Sequence, residues 1–161
     1  MKYILLPLFL MFSAMSVAAQ GANVAFGTIR QDTGLPVEVT ADNLSVDQAT
    51  GTAIFTGNVL IGQGEMRLSA SRVLVVYRAN GDGIARLEAT GGVTLVSGPD
   101  AAESERADYD IDKGTIVMSG NVLLAQGRNA LSSDTMSVKL SDGTAQMSGR
   151  VRTVLQPGGN N

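Results

Sequence analysis

The 161-residue sequence has no cysteine, no histidine and no tryptophan. Without a thiol or an imidazole it has no cysteine nucleophile, no histidine base, and no soft or imidazole metal site. No disulfide can staple it, so stability must come from strand pairing and a buried core. Charge is also sparse: 17% of residues are charged, 12 of them basic and 15 acidic. That balance gives no Lys/Arg patch able to displace counterions from nucleic acid, and it is poorly matched to an anionic membrane surface. Aromatic residues are 4% and proline occurs 4 times, whereas glycine reaches 19. Val, Leu and Thr recur in short runs between those glycines, a composition of short strands and tight turns rather than long helices. The length allows one domain with a single core.

The longest apolar run stands at the start. Lys2 precedes an apolar stretch from Tyr3 to Phe12, and Ser16, Val17, Ala18 and Ala19 lead to Gln20. This is the layout of a secretory signal, with cleavage expected after Ala19. A retained membrane anchor is the alternative, but the run contains Pro7 and falls short of the about 20 residues that a spanning helix needs. Loss of residues 1–19 removes only Lys2 from the 12 basic residues, leaving 11 against 15 acidic and a formal charge of −4. Residues 20–36 lack sustained periodicity and read as a lead-in, in which Val24, Phe26 and Ile29 could form a ragged first strand. The tail, residues 156–161, has no apolar face and is expected to be flexible.

Between them lies a repeat. Phe55-Thr56-Gly57-Asn58-Val59 has relatives around Gly91, Gly120 and Gly149, so the glycines are 34, 29 and 29 residues apart. A fixed period of this size signals stacked supersecondary units that share one continuous core. Each unit can be registered on a small residue: Ala41, Ala70, Ser104 or Ser133. Apolar residues sit two or four positions before it, as Val37 and Val39 or Met66 and Leu68 do. They resume three positions after it, as Leu44 and Val46 or Val73 and Val75 do. Side chains in a strand alternate with period two, so an odd step swaps faces, and each unit must bulge or turn a corner there. The residue at that corner is Asp42, Ser71, Glu105 or Asp134. A turn glycine follows, with five extra residues in the second unit accounting for its longer period. Then comes a cleaner alternating strand, such as Ala53, Phe55, Gly57, Val59 and Ile61. This alternation places the repeated glycine on the inward face, where it would let the sheet curve. The opposite face is polar in two strands (Glu88, Thr90, Thr94; Gln146, Ser148, Arg150), but Ile54, Leu60, Val117 and Leu123 break the pattern in the others.

Several candidate chemistries fail. Asp108, Asp110 and Asp112 alternate as in a calcium loop, yet Lys113 stands where glycine is needed and Ser119 where a bidentate Glu is needed. Nothing gathers Asp100, Glu103, Glu105 and Asp108 into a pocket for acid-base work on a glycoside. Gly62-Gln63-Gly64 and Gly91-Gly92 do not open a helix, so they read as turn and strand glycines rather than phosphate loops. What remains is the apolar inner face, either a plain packed core or the lining of a groove between two walls.

The run Leu35-Pro36-Val37-Glu38-Val39-Thr40-Ala41-Asp42, together with the Phe55 to Val59 motif and its repeats, resembles the OstA-like family over roughly residues 35–156. The resemblance implies a fold and a role. The fold is all-β: antiparallel strands forming a half-open, V-shaped β-jellyroll over residues 37–155, with an apolar interior groove. The role is a periplasmic, non-enzymatic carrier that moves lipopolysaccharide from inner to outer membrane with no cofactor. The lipid A acyl chains would lie against Val37, Val39, Leu44, Val46, Phe55, Val59, Ile61, Leu68, Val73, Val75 and Leu87. The lining would continue with Val93, Leu95, Tyr109, Ile111, Met118, Val122, Leu124, Met136, Val138, Met147 and Val151. Partners would add at terminal edges, Val37, Val39 and Ala41 at one end and Val151, Thr153 and Leu155 at the other. Those implied are an LptC-like inner-membrane protein, an LptD-like outer-membrane protein and further copies of the chain. Two other readings are a membrane-tethered LptC-like component and a closed β-solenoid acting as a scaffold or carbohydrate-active protein.

Overall fold

The computed structural model describes residues 21–26 and 34–157. The expected signal segment and most of the expected flexible tail lie outside these residues. Eleven strands and no helix occur among them: β1 (Ala22–Ala25), β2 (Glu38–Thr40), β3 (Asn43–Asp47), β4 (Thr52–Gln63), β5 (Met66–Tyr77), β6 (Ile84–Ser97), β7 (Asp100–Asp110), β8 (Thr115–Gln126), β9 (Asn129–Lys139), β10 (Thr144–Ser148) and β11 (Arg152–Val154).

All belong to one antiparallel sheet in the order β1-β10-β9-β8-β7-β6-β5-β4-β2, with β3 also on β4 and β11 also on β9. Consecutive strands are neighbours because tight turns join them, which also favours the antiparallel ladder. Every pairing between β4 and β9 breaks register near its middle, for instance between Thr56 and Val59 and between Ser119 and Val122. The sheet therefore folds back along a transverse line. On one side lies a first wall made of β3, β10, β1 and the halves of the long strands that meet the loops at Gly51, Gly81, Gly114 and Gly143. On the other lies a second wall of β2, β11 and the remaining halves. The ends do not meet, so the sheet stays open, which overturns the closed solenoid.

The fold line sits where the odd spacing requires it, but its construction differs from the expected inward glycine. Gly57 has φ +80° and Asn58 φ +47°, and Gly120 and Asn121 have +82° and +48°. Two successive left-handed residues insert an extra residue opposite one partner and bend the strand sharply. A Cβ on Gly57 would lie 2.6 Å from Asp42 Oδ2, and one on Gly120 2.6 Å from Glu105 Oε2. Both carboxylates are on the exposed outer face, so the missing side chain makes room for a polar corner outside and not for the interior.

The core lies between the walls. Val59, Ile61, Leu68, Val73, Val75, Leu87, Val93, Leu95, Met118, Val122, Leu124, Met136, Val138 and Met147 are all essentially inaccessible to solvent. Outside, Leu60, Val117 and Leu123 remain exposed among the described residues, while Arg86, Glu88, Arg106 and Asp108 form an ion-paired ladder across β6 and β7.

The lead-in holds a surprise. A short first strand does form, but β1 does not extend the N-terminal edge. It pairs with β10 at the far end, Ala22 opposite Met147 and Val24 opposite Ala145, and Phe26 beyond it is fully buried.

Candidate functional site

The candidate site is the interior with its two ends. Alternation carries the bulky side chain of every second residue inward, and cross-strand partners share a face: Ile61 with Leu68, Leu95 with Ala102, Met118 with Met136. The resulting cluster runs through all the long strands and includes Phe26, Met66, Ile116, Leu131 and Leu140 as well. The inner side chains pack on one another, and Gln63, Ser97, Asp100, Ser104 and Ser133 are buried polar groups beside them. Phe55, Val37, Val39 and Ile111 lie at its margins, partly buried against it.

Two polar links cross between the walls. The buried Tyr109 hydroxyl on β7 donates to Gln63 Oε1 at the tip of β4, 2.7 Å away, and Gln63 Nε2 donates to the Leu35 carbonyl at 3.0 Å. Burial pushes the Tyr109 phenol above its ordinary pKa. At the other end Gln126 Nε2 on β8 donates to the Ala25 carbonyl of β1 and to Asp100 Oδ2, the latter at 2.9 Å. In sheet order β7 is three strands from β4, and β1 is three strands from β8. The walls thus face each other with a constant stagger of three strands, the consequence of the sheet's twist.

This stagger leaves strands at each end unopposed. Leu44 and Val46 on β3 pair with Phe55 and Ala53 and share their inward face, yet they are 57% and 60% exposed. Val151, Val154 and Leu155 are likewise exposed at the opposite end, beside β11. Thr153 pairs with the inward-facing Leu131. Ala41 and Val39 pack against the margin of the core. The expected lining from Val59 to Met147 is therefore brought together, with Ile111 at its margin; Val37, Val39 and Phe55 are partly covered, and Leu44 and Val46 at one end and Val151 at the other form two uncovered lips.

The corners form a polar seam along the outside. Asn58 Nδ2 donates to Asp42 Oδ2 at 2.9 Å and Asn121 Nδ2 to Glu105 Oε1 at 2.6 Å. Arg150 Nε donates to Asp134 Oδ1 at 2.9 Å, which holds the Asp134 carboxyl below the usual range. In the second unit Gly92 replaces the Asn, and Ser71 Oγ donates to the Gly91 carbonyl at 2.7 Å. The aspartates of the calcium-like run are each engaged separately: Asp108 by Arg106, Asp110 by the Lys113 backbone, Asp112 by Arg78. Among the described residues no group of three or more acidic side chains is arranged to hold a metal ion.

Sequence reasoning did not identify Gln63 as part of the interior, although it stands two residues beyond the inward Ile61, nor did it pair the corner residues. Their constant separation of 16 residues (42 to 58, 105 to 121, 134 to 150) was the available signal.

Comparison with known proteins places this geometry. A crystal structure of LptH, the LptA homologous periplasmic component of the lipopolysaccharide transport device of Pseudomonas aeruginosa, has the same fold, with a TM-score of 0.70 at 18% identity over 79% of this chain and 99% of that one. The P. aeruginosa lipopolysaccharide export system protein LptH is 32% identical over 65 residues, 40% of this chain and 37% of that protein. An uncharacterised protein of Rhizobium meliloti (strain 1021) is 32% identical over 130 residues, 69% of this chain and 70% of its own length. Residues 38–144, which span the fold line, both walls and most of the buried lining, match the family described as LptA/(LptD N-terminal domain) LPS transport protein. The chain belongs to that family of lipopolysaccharide transport proteins.

Proposed function

We propose that the protein is a periplasmic carrier that holds the acyl chains of lipopolysaccharide between its two walls and passes them along a bridge from inner to outer membrane. The observation that carries this reading is a predominantly apolar inner face, with only a few buried polar groups such as Gln63, Ser104 and Ser133, in a sheet that is open at both ends. Each acyl methylene buried there contributes about 0.8 kcal/mol, so several chains are held without any covalent step. The inner side chains fill the space between the walls, so a guest enters as the walls part and lipid contacts replace side-chain contacts. Met118, Met136 and Met147 suit such repacking because the thioether chain is unbranched and adaptable. The sugar and phosphate head stays in water outside the lips. Energy for directional movement comes from elsewhere, and the open ends at β2–β3 and β11 take the edge strands of an LptC-like protein, an LptD-like protein or another copy.

The test is photo-crosslinking in cells from a probe at Phe55 or Leu95. Labelling of lipopolysaccharide is the expected result, whereas labels confined to the protein itself would return the interior to a solid core. Phe55→Asp places a charge on the lip and abolishes transport, with circular dichroism used to show that the fold persists.

A further inference from the structure

On β4, the next strand of the first wall is β5, which sets Val73 opposite Phe55 and Val75 opposite Ala53. On β10, the equivalent places are Met147 and Ala145, four and two residues after the turn glycine Gly143, as Phe55 and Ala53 are after Gly51. Opposite them stand Ala22 and Val24 of β1, running antiparallel. β1 therefore occupies the position and direction in which the next repeat unit would begin. It does so with four residues, two of them half-exposed and two exposed. By the same register, the strand that would naturally continue the repeat is β3. Leu44 and Val46 follow Ala41 by three and five residues, as Val73 and Val75 follow Ala70. β3 pairs only with β4 among the described residues, its outer edge is free, and its two apolar side chains are exposed. The second-wall counterpart β11 has no strand on its outer edge among the described residues.

We propose that β1 is a placeholder for β3 of a second copy: it covers the β10 half of the docking edge, and its release opens the full edge to head-to-tail addition. With β1 in place, an incoming copy can engage only β11 through its β2. With β1 displaced, β2 meets β11 and β3 meets β10 together, and Leu44 and Val46 take the places of Ala22 and Val24. Phe26 links this exchange to the interior. It is fully buried in the core cluster, its N–H donates to the Gly143 carbonyl at 3.0 Å, and the adjoining Ala25 carbonyl is held by Gln126 of the opposite wall. Releasing β1 thus withdraws Phe26 from the end of the core and breaks the Gln126 link to the opposite wall, leaving Gln126 on Asp100, so docking and opening of that end occur together. This inference rests on the head-to-tail reading above.

The native chain has no cysteine, so N23C/Q146C, two exposed and directly opposed positions, gives a lock that oxidation closes without touching the core. Self-association of the wild type, the locked chain before and after reduction, and a chain lacking residues 21–26 is measured by sedimentation velocity. Circular dichroism checks folding. The expected result is that oxidation weakens association, reduction restores it, and deletion strengthens it by about tenfold or more, because two strand contacts then act in one molecule. A photo-probe at Leu44 labels peptides containing Met147 of the neighbouring copy in the wild-type, reduced and deleted chains, most strongly in the last, and not in the oxidised chain. Equal association of oxidised, reduced and deleted chains, with Leu44 labelling a neighbour in all of them, overturns the placeholder role while leaving head-to-tail pairing intact. Absence of association and of chain-to-chain labelling in every form overturns both.

Discussion

Asn58, Asn121 and Arg150 have the positive φ angles of +47°, +48° and +45° that mark each bend. Asn tolerates the left-handed region better than other side chains because its short amide can bond locally, and here it also reaches the corner carboxylate of the preceding strand. Arg150 accepts the same backbone and gains two nitrogens on Asp134, although solvent contact keeps such a surface pair weak. The glycine before each of them has a second duty, since its absent Cβ is where the neighbouring carboxylate lies. Gly120→Ala brings a Cβ to 2.8 Å from Glu105 Cβ at φ +82°, whereas Gly127→Ala, at φ +57°, meets nothing within 4 Å. Both variants suffer the left-handed penalty of about 1–2 kcal/mol. Gly120→Ala is expected to lose a further ~1 kcal/mol or more from the clash, read as a larger drop in the urea midpoint with the slope unchanged. The position of the bend was legible in the odd spacing after Ala41, Ala70, Ser104 and Ser133. The direction of the glycine was not, because period-two counting fails at the residue where the period itself breaks.

The strands as elements were legible wherever alternation ran unbroken, so β4, β6 and β8 followed directly from Ala53 to Ile61, Leu87 to Leu95 and Ile116 to Leu124. The partner of β1 was not, since its four residues carry no mark of pairing with a strand more than a hundred positions away in the chain. Links between the walls were hidden for a similar reason: alternation points Tyr109 inward but is silent on which element of the other wall it meets. That element is β4, whose Gln63 accepts the Tyr109 hydroxyl. Tyr109→Phe keeps the ring's packing and removes this one hydrogen bond, so it is expected to cost about 0.5–1.5 kcal/mol in chemical denaturation. Burial of the same hydroxyl predicts an alkaline dependence. Burial raises the phenol's pKa above 10.0 in the folded chain, so ionisation favours the unfolded chain once the pH passes that value. Stability attributable to Tyr109 is complete below pH 10.0 and declines as the pH rises further, and the decline is smaller in Tyr109→Phe when unfolding is followed from neutral to alkaline pH.

For the whole molecule, the decisive property is that the two walls are halves of one sheet joined along a single seam. A closed barrel can admit a guest only through its mouths, but a folded sheet can open along its length by flexing at the seam while every strand pair stays intact. The Tyr109–Gln63 bond near mid-sheet and the Gln126–Ala25 bond at the β1 end oppose that motion, and both tie the free margins of the walls rather than the seam. Under the carrier role proposed above, opening exposes apolar side chains to water unless acyl chains cover them, so that role predicts a closed state without lipid and an open one only with lipid between the walls. Tethering the margins should therefore exclude lipid without disturbing the fold. In a Q63C/Y109C chain the two thiols can be joined by a short, cleavable bis-maleimide, with a photo-probe at Leu95 reporting the interior. Bridged protein is expected to show lipopolysaccharide labelling at background, and cleavage of the bridge to restore it, while circular dichroism stays the same in both. Equal labelling in bridged and cleaved protein would mean that acyl chains reach Leu95 without separation of the walls, and transport would then have to proceed through the ends alone.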